Sequence, residues 1–226
     1  MKKIVVLVVL VLLISLAGCT HTFLEPEQKQ IIKKTPNEIY GEETLIEVLV
    51  KADSIKNIEY GLTLKSNDEL IRTKKTFVKD EKYLIEENSK GKESTKIFDG
   101  LNAYIYDKSL DKYVKASKET ESPHHLNKYS EELKRISSTE IGKETIQGFE
   151  TRIIEFSHQQ YQGAEQLKTK AWVSEKYGII IRIEIETTAI ELNNIKFNEI
   201  NNSVFEVPEN KVITMEEYTE LLNNLK

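Results

Sequence analysis

Gly178-Ile179-Ile180-Ile181-Arg182-Ile183-Glu184-Ile185-Glu186-Thr187 decides the fold class. Ile179, Ile181, Ile183 and Ile185 take every second position, and Arg182, Glu184 and Glu186 stand between them. Side chains alternate across a strand with a period of two. Four β-branched residues on one side and charge on the other therefore predict a half-buried strand with a fixed register. Lys176-Tyr177-Gly178 reads as the turn into it.

The same period extends outward in both directions. Upstream, Ile58, Tyr60, Leu62 and Leu64 alternate with polar residues over Asn57–Lys65. Further strands are expected at Leu70–Lys79 (a weaker pattern), Lys82–Asn88, Lys92–Asp99, Leu101–Tyr106 and Lys112–Ala116, with Asp99-Gly100 as a hairpin turn. A loop with Pro123 spans Lys118–Lys128, and Ser130–Ile136 has the charge order of a short helix. Strands resume at Glu140–Ile146, Gly148–Phe156, Leu167–Ser174, Gly178–Thr187 and Glu191–Asn198.

Two segments have the helical period instead. Leu45, Val48, Leu49 and Ala52 form one stripe within Glu42–Ser54, and Tyr218, Leu221, Leu222 and Leu225 form another in Glu216–Leu225. The expected fold is α+β and mostly β: a single curved antiparallel sheet of about 10–11 strands, a half-open β-barrel covered by a few helices.

Composition supports one greasy face rather than a thick core. The chain has 226 residues, 39% apolar, and a net charge of −5. The first 18 residues hold 14 apolar ones, so the remainder is roughly 36% apolar against the ~45–50% usual for globular chains. That remainder carries 30 basic and 37 acidic residues, a charge of −7. An acidic surface removes the usual electrostatic route to nucleic acid.

The first 18 residues read as a secretory signal. Lys2 and Lys3 precede the unbroken apolar run Ile4–Ile14, which is too short to span a bilayer. Leu16-Ala17-Gly18-Cys19 resembles the bacterial lipobox, and Cys19 is the only cysteine. It has no partner for an internal disulfide. The resemblance implies diacylglyceryl attachment at Cys19 and cleavage before it, which gives a stable anchor. The expected organisation is a lipoprotein signal peptide at 1–18, a flexible tether at 19–40 and a folded domain at 41–226. The expected location is extracytoplasmic, on the cell membrane of a bacterial envelope.

The order of motifs in the folded part resembles the lipoprotein-sorting, LolA-like superfamily. Its carriers are Phe98-Asp99-Gly100-Leu101-Asn102-Ala103-Tyr104-Ile105-Tyr106, Gly148-Phe149-Glu150-Thr151, Ala171-Trp172-Val173-Ser174 with Arg182-Ile183-Glu184, and Ile195-Lys196-Phe197 running into Val204-Phe205-Glu206-Val207-Pro208. The resemblance spans about Glu42 to Pro208. It implies an antiparallel half-barrel lined by apolar side chains, with helices as a lid and a cavity for acyl chains of lipids or lipoproteins. The lid-locking arginine of the lipoprotein carrier has no evident counterpart among Arg72, Arg135, Arg152 and Arg182.

Inward strand positions supply any ligand surface. They are Ile58, Tyr60, Leu62 and Leu64 on the first strand, and Tyr83 with Ile85 on the third. Tyr104 and Tyr106, Ile154 and Phe156, Trp172, and Ile181 and Ile183 follow on later strands. Alternation alone does not separate a dry core from a greasy cavity. His124 and His125 are adjacent in a loop, a poor spacing for one metal ion, and no metal or cofactor is expected. His158 reads as surface. No nucleophile-elbow, zinc-protease, Walker or dinucleotide motif is present, so a non-catalytic role is expected. The expected partners are the membrane through the lipid on Cys19, acyl chains of a lipid or lipoprotein, or alternatively a membrane protein in envelope-stress or developmental signalling.

Overall fold

The computed structural model describes residues 43–116, 130–159 and 166–224. The chain divides into two units, Met1–Glu42 and Glu43–Lys226, and every described residue belongs to the second. The expected signal peptide, Cys19, the tether and the loop bearing His124 and His125 lie outside the described residues.

The unit opens with helix α1 (Leu45–Val50) and a 3₁₀ turn (Lys51–Ser54). Strands β1 (Asn57–Ser66), β2 (Glu69–Lys79), β3 (Lys82–Ser89), β4 (Lys92–Phe98), β5 (Ala103–Asp107) and β6 (Lys112–Ala116) follow. After a helical turn at residues 130–133 come β7 (Ser138–Ile146), β8 (Phe149–Gln159), β9 (Gln166–Ser174), β10 (Ile180–Ile185) and β11 (Thr188–Lys196). Two 3₁₀ turns (Asn202–Phe205 and Glu209–Lys211), the short strand β12 (Val212–Ile213) and helix α2 (Met215–Asn224) end the described chain.

The twelve strands among the described residues join one sheet in the order β12-β6-β5-β4-β3-β2-β1-β11-β10-β9-β8-β7. β12 and β7 are its two edges, so the sheet is open. Every pairing is antiparallel except β12 on β6. The α+β, mostly β expectation holds, with twelve strands instead of ten or eleven. β12 has two residues, too short to leave an alternating pattern.

Local sequence explains the elements. Thr44 and Glu47 form a capping box that starts α1: Glu47 N–H donates to Thr44 Oγ1 at 3.3 Å and Thr44 N–H to Glu47 Oε2 at 2.7 Å. The expected helix over Glu42–Ser54 is thus one short α-helix followed by a 3₁₀ turn. Its stripe is as expected, with Val48, Leu49 and Ala52 buried. Asn67 and Asp68 both take positive φ, which suits the two-residue turn between β1 and β2.

The terminal helix departs from its expected role. Leu221 and Leu222 of α2 remain 39% and 37% exposed, and no residue of this helix is buried. α2 sits beside β6, and its Tyr218 Oη donates to Oδ2 of Asp107, the last residue of β5, at 2.9 Å. A helical apolar stripe shows that a face can be buried, not that a surface is there to bury it.

Candidate functional site

Residues paired across neighbouring strands share a face of the sheet. Leu64 of β1 pairs with Ile190 of β11, Ile190 with Ile183 of β10, Ile183 with Ala171 of β9, and Ala171 with Ile154 of β8. These five residues form an apolar row across five adjacent strands. At the usual strand separation the row runs about 19 Å. A second row, Phe156, Thr169, Ile185 and Thr188, lies parallel to it on the same face.

Val48 and Leu49 of α1 and Leu133 of the helical turn pack on this face with Ile154, Phe156, Ala171, Val173, Ile180 and Ile183. Burying each large aliphatic side chain contributes about 1.5–3 kcal/mol, so this contact accounts for much of what holds α1 in place. Gly178 lets the chain pass directly beneath the helix. Its φ is +69°, and a Cβ there would stand 2.1 Å from the Val48 carbonyl oxygen.

Polar contacts fasten the same elements. The buried Arg152 of β8 donates from Nη1 to the Glu43 carbonyl at 2.6 Å and from Nε to Glu175 Oε1 at 3.1 Å. Lys51 Nζ pairs with the Glu43 carboxylate and donates to the Glu175 carbonyl at 2.8 Å. Hydrogen bonds from Lys143 and Arg152 hold the Glu175 carboxyl below the usual range, against the opposing effect of its partial burial. Lys134, next to Leu133, reaches Glu131 at 2.7 Å and Asp53 at 3.2 Å. Partial burial of Lys134 works against its charge, but the two carboxylates outweigh it and raise its pKa.

The expected ligand surface proves to be two surfaces. Ile58, Tyr60, Leu62 and Leu64 share the row face, as do Ile154, Phe156 and Ile183. Tyr83 and Ile85 join them through Val78 and Thr76 of β2. Trp172 does not: it pairs with Arg182 and Ile153, on the opposite face. There it donates from Nε1 to Glu144 Oε2 at 2.7 Å, and the Arg182 guanidinium lies 5.1 Å over its ring. Tyr104 pairs with Ile97, so it and Tyr106 also take the opposite face. Ile181 sits where the β9–β10 register shifts, and packs with Ala52, Ile58, Tyr60, Ile179 and Leu192.

The opposite face is apolar in a different place. Ile97 is buried there with Ile200 and Phe205, and Phe77 and Leu84 pack against them. The segment after β11 therefore covers β2–β4 on one side, while α1 covers β8–β10 on the other.

Surface depressions among the described residues lie on the opposite face. One of about 640 Å³ follows the opposite-face row Gly61, Lys75, Glu86 and Thr95. Another, about 280 Å³, lies beside Asp99, Tyr104 and Phe205. Of the expected ligand residues, Tyr60 borders the first and Tyr104 the second. Among the described residues no group of three or more His, Cys, Asp or Glu side chains could hold a metal ion. No described helix is long and apolar enough to cross a membrane.

Reading strands by their apolar residues missed the charged ones that share the row face. Arg72 and Lys74 of β2 stand opposite Leu64 and Leu62, and Glu87 of β3 stands opposite Lys74. Their signal was the weak apolar pattern of β2 itself, in which Arg72, Lys74, Thr76 and Val78 hold the inward positions.

No protein-family model matches the chain. An uncharacterised protein of Methanocaldococcus jannaschii is 24% identical over 157 residues, 66% of this chain and 45% of that protein, so the chain spans about half the length of this relative. Among solved structures, LprF from Mycobacterium bovis superposes with a TM-score of 0.52 at 11% identity, covering 73% of this chain and 95% of LprF. The lipoprotein LppX of Mycobacterium tuberculosis gives 0.48 at 12% identity over 70% of this chain and 97% of its own. The likeness to LprF shows the fold alone.

Proposed function

We propose that this protein is a cell-envelope lipoprotein, anchored through lipid on Cys19, whose LolA-like sheet binds acyl chains of a lipid or lipoprotein without catalysing a reaction. The observation that carries the reading is the row Leu64, Ile190, Ile183, Ala171 and Ile154, an uninterrupted apolar track whose β8–β10 end lies under one short helix. The lipobox-like Leu16-Ala17-Gly18-Cys19 supports the anchor and the extracytoplasmic location.

Val48, Leu49, Ile154 and Ala171 are fully buried. An acyl chain therefore reaches the Ile154–Ile183 end of the row only when α1 lifts, and binding exchanges the contacts of Val48 and Leu49 for those of methylene groups. Each buried CH₂ is worth about 0.8 kcal/mol, so a long chain can offset the loss of two aliphatic side chains. Native mass spectrometry of the full chain, purified from membranes in a mild detergent, tests this. Co-purifying lipid that exchanges with added long-chain fatty acid supports it; a protein that is bare and takes up no fatty acid contradicts it.

The burial of Ile154, Ala171 and Ile183 under α1 also favours a second reading, in which the sheet is a dry scaffold and the protein signals through a membrane-protein partner. Crosslinking in intact membranes separates the two. A single reproducible protein partner that persists when Leu64 and Ile183 are changed favours the scaffold.

A further inference from the structure

The apolar row does not end at β1. Leu64 pairs with Arg72 on β2, and the neighbouring Leu62 pairs with Lys74, which pairs in turn with Glu87 on β3. Arg72 Nε lies 3.2 Å from Glu87 Oε1, and Lys74 Nζ lies 3.1 Å from Glu87 Oε2. The three side chains are only 14%, 12% and 19% exposed. Two cations thus share one carboxylate, which leaves an excess positive charge in a desolvated place. Arg72 Nε, though within ion-pair distance, is buried without a hydrogen bond.

Such a cluster is a poor way to stabilise a sheet, because apolar residues of similar size pack there at no desolvation cost. It is a good way to receive an anion. A guanidinium offers paired donors that match a phosphate or carboxylate, and a lysine adds a point charge. The geometry points to Arg72 and Lys74 as the receptor for the anionic headgroup of an amphiphile whose acyl chain lies along the row from Leu64 to Ile154. This rests on the acyl-binding reading above and adds the class of ligand: anionic amphiphiles over neutral ones with the same tails. Glu87 holds the two cations side by side and leaves one charge unmatched for the ligand.

The full chain in non-ionic detergent, offered an equimolar mixture of phosphatidic acid and diacylglycerol with identical acyl chains, tests the assignment by native mass spectrometry. The unaltered protein should retain phosphatidic acid about tenfold over diacylglycerol, the worth of one charge-assisted hydrogen bond. Arg72→Gln with Lys74→Gln should abolish the preference and keep diacylglycerol binding. Lys74→Gln alone, which leaves the Arg72–Glu87 pair, should reduce the preference and serves if the double variant does not fold. Equal retention by the unaltered protein, or a preference that survives the double variant, overturns the assignment and leaves acyl binding standing. Inorganic phosphate that binds in the absence of lipid and displaces neither lipid marks a free-phosphate site and also overturns it. Retention of neither lipid overturns both this assignment and the reading it rests on.

Discussion

Arg152 Nη1 donates to the backbone carbonyl of Glu43 at 2.6 Å, so a side chain from the middle of β8 holds the residue that leads into α1. The same guanidinium bonds Glu175, whose own carbonyl receives Lys51 from the 3₁₀ turn after α1. Both ends of the covering helix are therefore tied to one point of the sheet. Arg152→Ala should lower unfolding stability by about 2 kcal/mol in urea titration, because it strands the Glu43 carbonyl and removes a cation from Glu175. Arg152→Lys keeps the charge without the fork and should lose less. Amide exchange of Leu45–Val50 should speed up more than that of β8. Unchanged exchange in α1 would remove Arg152 as its fastening.

Two glycines with positive φ should respond unequally to alanine. Gly148 (φ +82°) has nothing within 4 Å of a new Cβ, so Gly148→Ala costs only the backbone strain, about 1 kcal/mol. Gly178 (φ +69°) would place its Cβ against the Val48 carbonyl oxygen and 3.0 Å from the Ala52 nitrogen. Gly178→Ala should cost about 3 kcal/mol or more, since strain and backbone collision add. Thermal melts of the two variants decide it, and equal losses would mean that α1 does not rest on this turn.

Alkaline pH should weaken the fold through Tyr60. Burial pushes its hydroxyl up to about 12, opposed by a hydrogen bond with Thr76. An unfolded tyrosine ionises near 10, so the unfolded state gains charge first, and stability is lost as pH rises from ~10 through the folded value. Tyr60→Phe should be about 1 kcal/mol less stable than the unaltered protein at neutral pH, from the lost hydrogen bond. That deficit should shrink and reverse above pH ~11. A deficit constant with pH would place Tyr60 in contact with water.

How much of this was legible in the sequence depends on the period and on what the period leaves out. The Ile179–Ile185 alternation marked a strand, but a register shift between Ile180 and Arg182 brings Ile180 and Ile183 to the same packed cluster. Trp172 was expected inside with Ile154 because each lies on an alternating strand. Alternation orders residues within a strand and does not say which neighbour each one faces. That is fixed by pairing, which sets Trp172 against Ile153. The inward places of Arg72, Lys74 and Arg152 leave no sequence signal, because a polar residue at an inward position looks like a weaker strand rather than a site. The capping box at Thr44 and Glu47 was present in the letters and sets the true start of α1.

Cys19 carries the anchoring proposal. Cys19→Ala should move the protein from the detergent-rich to the aqueous phase on Triton X-114 separation, and metabolic labelling with an alkyne fatty acid should disappear with it. Unchanged partition, or labelling that persists, would refute lipidation at this residue.

Photo-crosslinking of the full chain with a long-chain fatty acid bearing a diazirine near its middle tests the central claim most directly. Saturable labelling, competed by unlabelled fatty acid, is expected on peptides containing Leu64, Ile183 and Ile190, with more label when Arg152→Ala frees α1. Labelling that is absent, does not saturate, or falls only on the exposed Leu221 and Leu222 of α2 would contradict it.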